Sequence, residues 1–387
     1  MTKISMKSRQ EVIKRYSAKY KRSSKKEKGR ILDSVCLTTG LSRDRAKKLL
    51  CGRHCEKTVP KTKKRGRKLK YDGNVQAALE RVWALMDFAC GKRLAAGMRD
   101  MLDALLRFGE IGFDKTTLGC LKEISPATID RLLKHAKSRM NFKGISTTKP
   151  GTLLKKNIPV RLGTQWDDAV PGYVEIDLVA HCGTTAAGEY INTLDVTDVC
   201  SGWTETAAVI NKAQKHVFEA LMTIKARLPF PLLGIDSDNG SEFINHHLIR
   251  YCEREDICFT RSRPNKKNDG CYVEQKNWSV VRRNIGYGRY EGAEALDVMN
   301  EYYGLLRLYT NFFLPSAKLL SKDRDGAKIH KRYDAPQTPY NRLLSLPRIE
   351  HDMKENLREI WMGLNPAELK RGMLKLLEQL MKLTTAC

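Results

Sequence analysis

Three acidic residues stand out by type, spacing and local setting. Asp177 lies within Tyr173-Val174-Glu175-Ile176-Asp177-Leu178-Val179, a run with strand character. Asp238 closes the run that begins Leu232-Leu233-Gly234-Ile235. It is followed at once by the turn signal Asn239-Gly240 and by Ser241, a natural helix N-cap. Glu274 follows the turn Asn268-Asp269-Gly270 and falls in the first turn of an expected helix, with 35 residues between it and Asp238. A carboxylate at a strand end, beside a turn and a helix start, occupies the position where open α/β sheets bind ligands. Three carboxylates in one cleft repel one another, and burial pushes them toward protonation. Hard divalent cations relieve both effects. Mg²⁺ takes carboxylate oxygens and keeps its other positions for water and phosphate oxygens.

Asp177, the run Asp238-Asn239-Gly240-Ser241 and Glu274 at this spacing resemble the retroviral-integrase-like DDE transposases of bacterial insertion sequences. The resemblance spans roughly residues 171–290 and extends more loosely over the rest of the chain. It implies a ribonuclease-H-like fold and an active site of two Mg²⁺ or Mn²⁺ ions about 3.5–4 Å apart. Asp177 would bridge them, Asp238 would hold one and Glu274 the other. It further implies nicking of double-stranded DNA at transposon ends by water, then attack of the freed 3′-hydroxyl on target DNA. A homo-oligomer is expected, because two ends must be held together. No Gly-x4-Gly-Lys-Ser/Thr loop is present, so ATP is not expected. The alternatives are a nuclease of the same fold that cuts without joining, and a DNA-binding regulator with an inactive core.

Neighbouring groups have simpler readings. Asp236 shares a strand with Asp238, but the Asn-Gly turn follows Asp238. Glu242 suits a helix N-terminal dipole, and Asp269 belongs to a turn. His181 reads as a core or loop histidine before it reads as a site residue.

The positioning elements follow from the apolar pattern. Strands are expected at 174–179, 189–196, 204–209, 232–236 and 257–260. Helices are expected at 212–227, at 241 to about 255, and from about Tyr272. Three adjacent strands, then helix, strand, helix, strand, helix is the order of the ribonuclease-H-like α/β fold, with a mixed five-stranded sheet. This core is assigned to 171–290. An all-α helix-turn-helix region (1–58), a basic linker (59–71), a second helical or helix-turn-helix domain (72–143) and a linker (144–170) precede it. A helical and basic region (291–387) follows, in which Lys318–Lys331 is expected as a basic loop.

Charge is concentrated at the front. The chain carries a net +26, and residues 1–70 hold 25 Lys/Arg against 5 Asp/Glu. This is the pattern of a nucleic-acid-binding front end on a catalytic body. A capping box at Ser8–Glu11 and a second helix through Ile31 and Val35 lead to a turn at Gly40. A short helix then carries Arg43, Arg45, Lys47 and Lys48 toward a major groove. Lys63, Lys64, Arg65, Arg67 and Lys68 form a charge block, and Arg65-Gly66-Arg67 is similar to an AT-hook core. Arg261, Arg263, Lys266 and Lys267 between the second and third acids, with Lys276, Arg282 and Arg283 beyond, are read as a phosphate-gripping track. The 11 cysteines are odd in number and read as reduced thiols. Cys51, His54 and Cys55 look like a zinc half-site, but no second pair follows at ligand spacing, and the zinc module of retroviral relatives is missing. No apolar run reaches membrane-span length. With no signal peptide read at the N-terminus, the expected location is the cytoplasm.

Overall fold

The computed structural model describes residues 4–52, 70–139, 169–237, 243, 246–261, 271–325 and 328–384. The chain divides into two compact units, residues 1–69 and 70–387.

The first unit is three helices: α1 (Met6–Arg22), α2 (Lys25–Thr39) and α3 (Arg43–Leu50). Tyr20, Ile31, Leu32, Val35, Ala46 and Leu50 form its core. Helix α1 starts earlier than the Ser8–Glu11 pattern suggests, because Ser5 is the cap and accepts from the Ser8 N–H. The capping box belongs instead to α2, between Ser24 and Glu27. Gly40 ends α2 at φ 67°, a left-handed conformation that a residue with a Cβ adopts only with strain. The polypeptide thereby reverses within two residues to begin α3.

The second unit opens with α4 (Gly73–Leu85), α5 (Gly91–Arg107), α6 (Lys115–Glu123), α7 (Pro126–Leu132) and α8 (Lys134–Ser138). There follow β1 (Tyr173–Ala180), β2 (Asn192–Asp198), β3 (Thr204–Val209), α9 (Gln214–Lys225), β4 (Gly234–Ser237), α10 (His246–Arg254) and β5 (Cys258–Arg261). Helix α11 (Cys271–Lys276) runs through a π-helical turn (Asn277–Arg282) into α12 (Arg283–Ile285). The chain ends with α13 (Gly292–Phe313), β6 (Leu319–Asp325), β7 (Lys328–Tyr333), α14 (Pro339–Ser345), α15 (His351–Gly363) and α16 (Pro366–Lys382).

The sheet order is β3-β2-β1-β4-β5. The β1–β2 and β2–β3 pairs are antiparallel, while β1–β4 and β4–β5 are parallel. This mixed five-stranded sheet is the expected ribonuclease-H-like core. Strand alternation gives the sheet two unlike faces. Val174, Ile176, Leu194, Val196 and Ala207 pack on Val217, Leu221 and Ile224 of α9 and Leu248 of α10. The opposite face carries Glu175, Asp177, Asp195 and Thr197, linked by the registers Asp177–Asp195 and Glu175–Thr197. Helix α13 covers the outer edge of β3. Asn300 accepts from the Ala208 N–H, and Asn311 bonds both the N–H and the carbonyl of Thr204. Two side-chain amides thus satisfy groups that an edge strand would otherwise leave open.

The helices of 72–138 share one core with the C-terminal region. Trp83, Met101 and Leu105 belong to the same apolar cluster as Tyr302, Phe312 and Met373. Two local expectations are corrected. The second strand is shifted, to 192–198. Lys318–Lys331 is not a loop but lies almost wholly within the β6–β7 hairpin, paired from Leu319–Tyr333 to Asp325–Lys328. Charged residues dominate this stretch of sequence, so no apolar alternation marks it as strand.

Candidate active site

Asp177 sits near the middle of β1 and is half-buried. Its Oδ1 accepts from the Leu178 N–H at 2.8 Å, and its Oδ2 accepts from Asn277 Nδ2 at 2.6 Å. Two residues earlier on the same strand face, Glu175 is 1% exposed. Its Oε2 accepts from the backbone N–H groups of Tyr272 and Val273, at 2.9 and 3.0 Å. These are N-terminal donors of α11 that the helix itself leaves unsatisfied, and the negative side chain also suits the positive end of the helix dipole. Glu274 lies in this same first turn and is exposed. Asn277 follows it by three residues, which places the two on one side of the helix. Strand β1 therefore holds α11 at two points, through Glu175 at its start and Asn277 at its end. Asp177 and Glu274 belong to the elements so joined. The π-helical turn begins at Asn277, in keeping with the tendency of such turns to occur at functional sites.

A further acid lies beneath. Asp195 is directly across β2 from Asp177, is fully buried, and has one carboxylate oxygen with no hydrogen-bond partner among the described residues. Burial raises its pKa far above the carboxylate range. Lys276 opposes this shift, and Asp177 adds to it. Burial correspondingly lowers the pKa of Lys276, with Asp195 opposing.

Asp238 lies outside the described residues. Strand β4 ends at Ser237, whose register partner on β1 is Ile176, the residue before Asp177. Asp236 is buried and accepts from Thr260 Oγ1 at 2.6 Å, a structural bond within the sheet. His181 is fully buried with its Nε2 2.7 Å from Thr193 Oγ1, and burial lowers its pKa to about 3. It is a neutral core histidine. Among the described residues, no three His, Cys, Asp or Glu side chains gather as a metal site.

The expected basic track is only partly exposed. Lys276 is buried and donates to the Gly202 carbonyl at 3.1 Å, so it faces the protein interior. Arg261 is buried at the end of β5. Arg282 donates to the Ala180 carbonyl at 2.7 Å and lies over the Tyr287 ring. These three are corrected to structural roles, because strand pairing and helix packing have already used their donors or their exposure. Arg283 is exposed, though bonded to the Asp87 carbonyl. Arg263, Lys266 and Lys267 lie outside the described residues, as do Lys63, Lys64, Arg65, Arg67, Lys68, His54 and Cys55. In the first unit Arg43, Arg45, Lys47 and Lys48 are all exposed, with Arg43 paired to Asp33.

Glu175, Asp195 and Asn277 were not singled out in the sequence. The i, i+2 spacing of Glu175 to Asp177, and the i, i+3 spacing of Glu274 to Asn277, are the signals that could have marked two of them. Asp195 depends on strand register and leaves no local trace.

Residues 167–267 match the integrase core domain family. The chain is 38% identical over 342 residues to the uncharacterized protein y4rM of Sinorhizobium fredii, covering 88% of this chain and 96% of that protein. Among solved structures it is similar to the catalytic core of HTLV-2 integrase in complex with magnesium. For the trimeric form the TM-score is 0.28 and the identity 16%, covering 37% of this chain and 87% of that one. The BIV integrase catalytic core has the same TM-score, 0.28, and 16% identity, over 44% and 91% of the two chains. Strand order and the family match, rather than these low scores, define the core.

Proposed function

From the premise that this chain belongs to the family of the Sinorhizobium fredii y4rM protein and carries an integrase core domain, we propose that it is a DDE transposase. It binds transposon ends, cleaves DNA there and transfers the strand to target DNA. The observation that carries the reading is the polar tie between β1 and α11, which joins the elements of Asp177 and Glu274. Asp238 is covalently next to Ser237, and Ser237 pairs with the residue before Asp177. The pairing of β4 with β1 and the tie of α11 to β1 support reading Asp177, Asp238 and Glu274 as one acid triad.

The donor set fits hard divalent ions. It is all carboxylate, the ligand type that such ions prefer. Asp177, Asp238 and Glu274 would hold two Mg²⁺ or Mn²⁺ ions. When bound, such ions activate the attacking oxygen and stabilise the leaving one. The residues of the chain supply orientation. Asn277 fixes the Asp177 carboxylate with its Oδ2 toward the helix. Glu175 sets the start of α11, and with it the position of Glu274. Exposed Arg45, Lys47 and Lys48 of α3, together with the basic stretch 61–70, supply phosphate contacts that hold duplex DNA.

A duplex carrying the ends of the element, incubated with the full chain and Mg²⁺, should give nicked ends and then joined products. Nicking without joining would favour the simple nuclease, and neither product would sink the reading.

Glu175 gives a finer expectation. Glu175→Ala leaves two helix N–H groups without their acceptor and lets α11 shift, and displacements of about 1 Å can lower rates by roughly 10²-fold. Joining should fall by about that factor, and the half-saturating Mg²⁺ concentration should rise. Glu175→Gln keeps an acceptor oxygen and should retain most activity. Equal activity in all three proteins would remove Glu175 from the positioning scheme.

A further inference from the structure

The segment that follows the third acid turns a large aromatic side chain outward. Trp278 lies on the π-helical turn Asn277–Arg282 and is 59% exposed, although tryptophan is mostly buried in folded proteins. The backbone beneath it is firmly held. Asn277, just before it, bonds the Asp177 carboxylate at 2.6 Å. Arg282, four residues beyond it, donates to the Ala180 carbonyl at 2.7 Å. Both partners are on β1, and Val280 and Val281 in between are buried. The turn is therefore pinned to the strand of the first acid on either side of Trp278. Its inward positions are filled by valine, and the indole is left on the outward side.

The neighbours of Trp278 narrow what it could meet. Glu274 precedes it by four residues and is exposed too, so the two lie about one turn apart on one side of the helix. In the other direction, Arg282 lies about one turn further on. Its guanidinium is 4.9 Å from the centre of the Tyr287 ring. Gly286, at φ 82°, ends α12 between these two residues, and Tyr287 is 48% exposed. An exposed acid, an exposed indole and an exposed phenol backed by a cation thus succeed one another along this segment.

We propose that Trp278, with Tyr287 beyond it, is a stacking platform for unpaired nucleobases of the DNA strand next to the reacting phosphodiester. A nucleobase supplies the flat partner that an exposed indole lacks, and stacking tolerates any sequence because every base has a π-face. In a fully paired duplex the bases are stacked on one another, so the platform selects DNA whose end has opened. Two anchors on β1 hold the ring in place beforehand, which lowers the ordering cost of binding. The inference rests on the reading that this chain works on DNA ends, but its test requires no catalysis.

The full chain, with no divalent ion added, would be titrated with two duplexes of equal length, one fully paired and one with mismatched nucleotides at its end. The unaltered chain should prefer the opened end. Trp278→Ala should weaken binding to the opened end by about 5- to 100-fold, the range for loss of one stacked base. Binding to the fully paired duplex should be nearly unaffected. Trp278→Phe keeps a ring and should retain most of the preference, and Tyr287→Ala should weaken it by a smaller factor. An unchanged ratio of the two affinities in Trp278→Ala overturns the proposal, as does equal affinity of the unaltered chain for both duplexes. Loss of self-association in Trp278→Ala with the ratio kept would assign the ring to a contact between copies, and also overturns it. A second measurement uses the unaltered chain. Iodouracil at the unpaired positions should crosslink on irradiation to the peptide that holds Trp278, and crosslinking only elsewhere overturns the proposal. If the preference depends on Trp278 while the chain joins no ends, the recombinase reading falls and the platform stands.

Discussion

Asp177→Asn, Asp238→Asn and Glu274→Gln are each expected to reduce both cleavage and joining by at least about 10³-fold, or about 4 kcal/mol of barrier. Binding of transposon ends should remain. Each substitution keeps the shape of the side chain and removes the charge that a hard divalent ion requires. Asn277 can still donate to the carbonyl oxygen of an amide at position 177, so the β1–α11 tie should survive there. Glu274 is exposed at its helix start, and its replacement should leave packing unchanged. Asp236→Asn makes a useful contrast. That residue is buried against Thr260, so its loss should appear in thermal stability more than in chemistry. The measurement is product formation on end-bearing duplexes, beside a binding titration of each variant. Full activity in any of the three would mean that the acid had been misassigned.

The second large effect concerns salt. Binding through ~6–10 phosphates should weaken about 10³–10⁵-fold between ~50 and ~200 mM salt, because each neutralised phosphate releases condensed counterions. Residues 1–70 hold 25 of the chain's basic residues against 5 acids, so they should carry most of this dependence. A protein lacking residues 1–69, the first compact unit, should show a much shallower slope of log affinity against log salt. An unchanged slope would relocate the binding charge to the second unit. There the candidates narrow, because Arg261, Lys276 and Arg282 are taken up by the fold.

That narrowing marks the limit of reading charge from sequence. A basic side chain is legible as a residue type, but its exposure is set by what packs around it. Lys276 shows the point. It sits on a helix next to an expected acid and looks like a phosphate contact, yet its ammonium is buried and donates to the Gly202 carbonyl beside the unforeseen Asp195. The β6–β7 hairpin shows the converse. With no apolar stripe to betray it, a paired ribbon reads as a loop in the sequence, and only the backbone pairing of β6 with β7 reveals it.

What the sequence determined by itself was the local grammar: the order of strands and helices in the core, the glycine that ends the second helix, the alternation that puts Glu175 and Asp177 on one side of β1, and the concentration of charge at the front. Those are properties of neighbours along the chain, and short-range sterics and periodicity suffice to set them. Tertiary structure alone decided the rest. Strand register set Asp195 opposite Asp177, long-range packing merged residues 72–138 with the C-terminal helices, and α11 was fastened to β1 through Glu175 and Asn277. These contacts join residues about 20 to more than 200 positions apart, and nothing in the local sequence encodes which partner will be met.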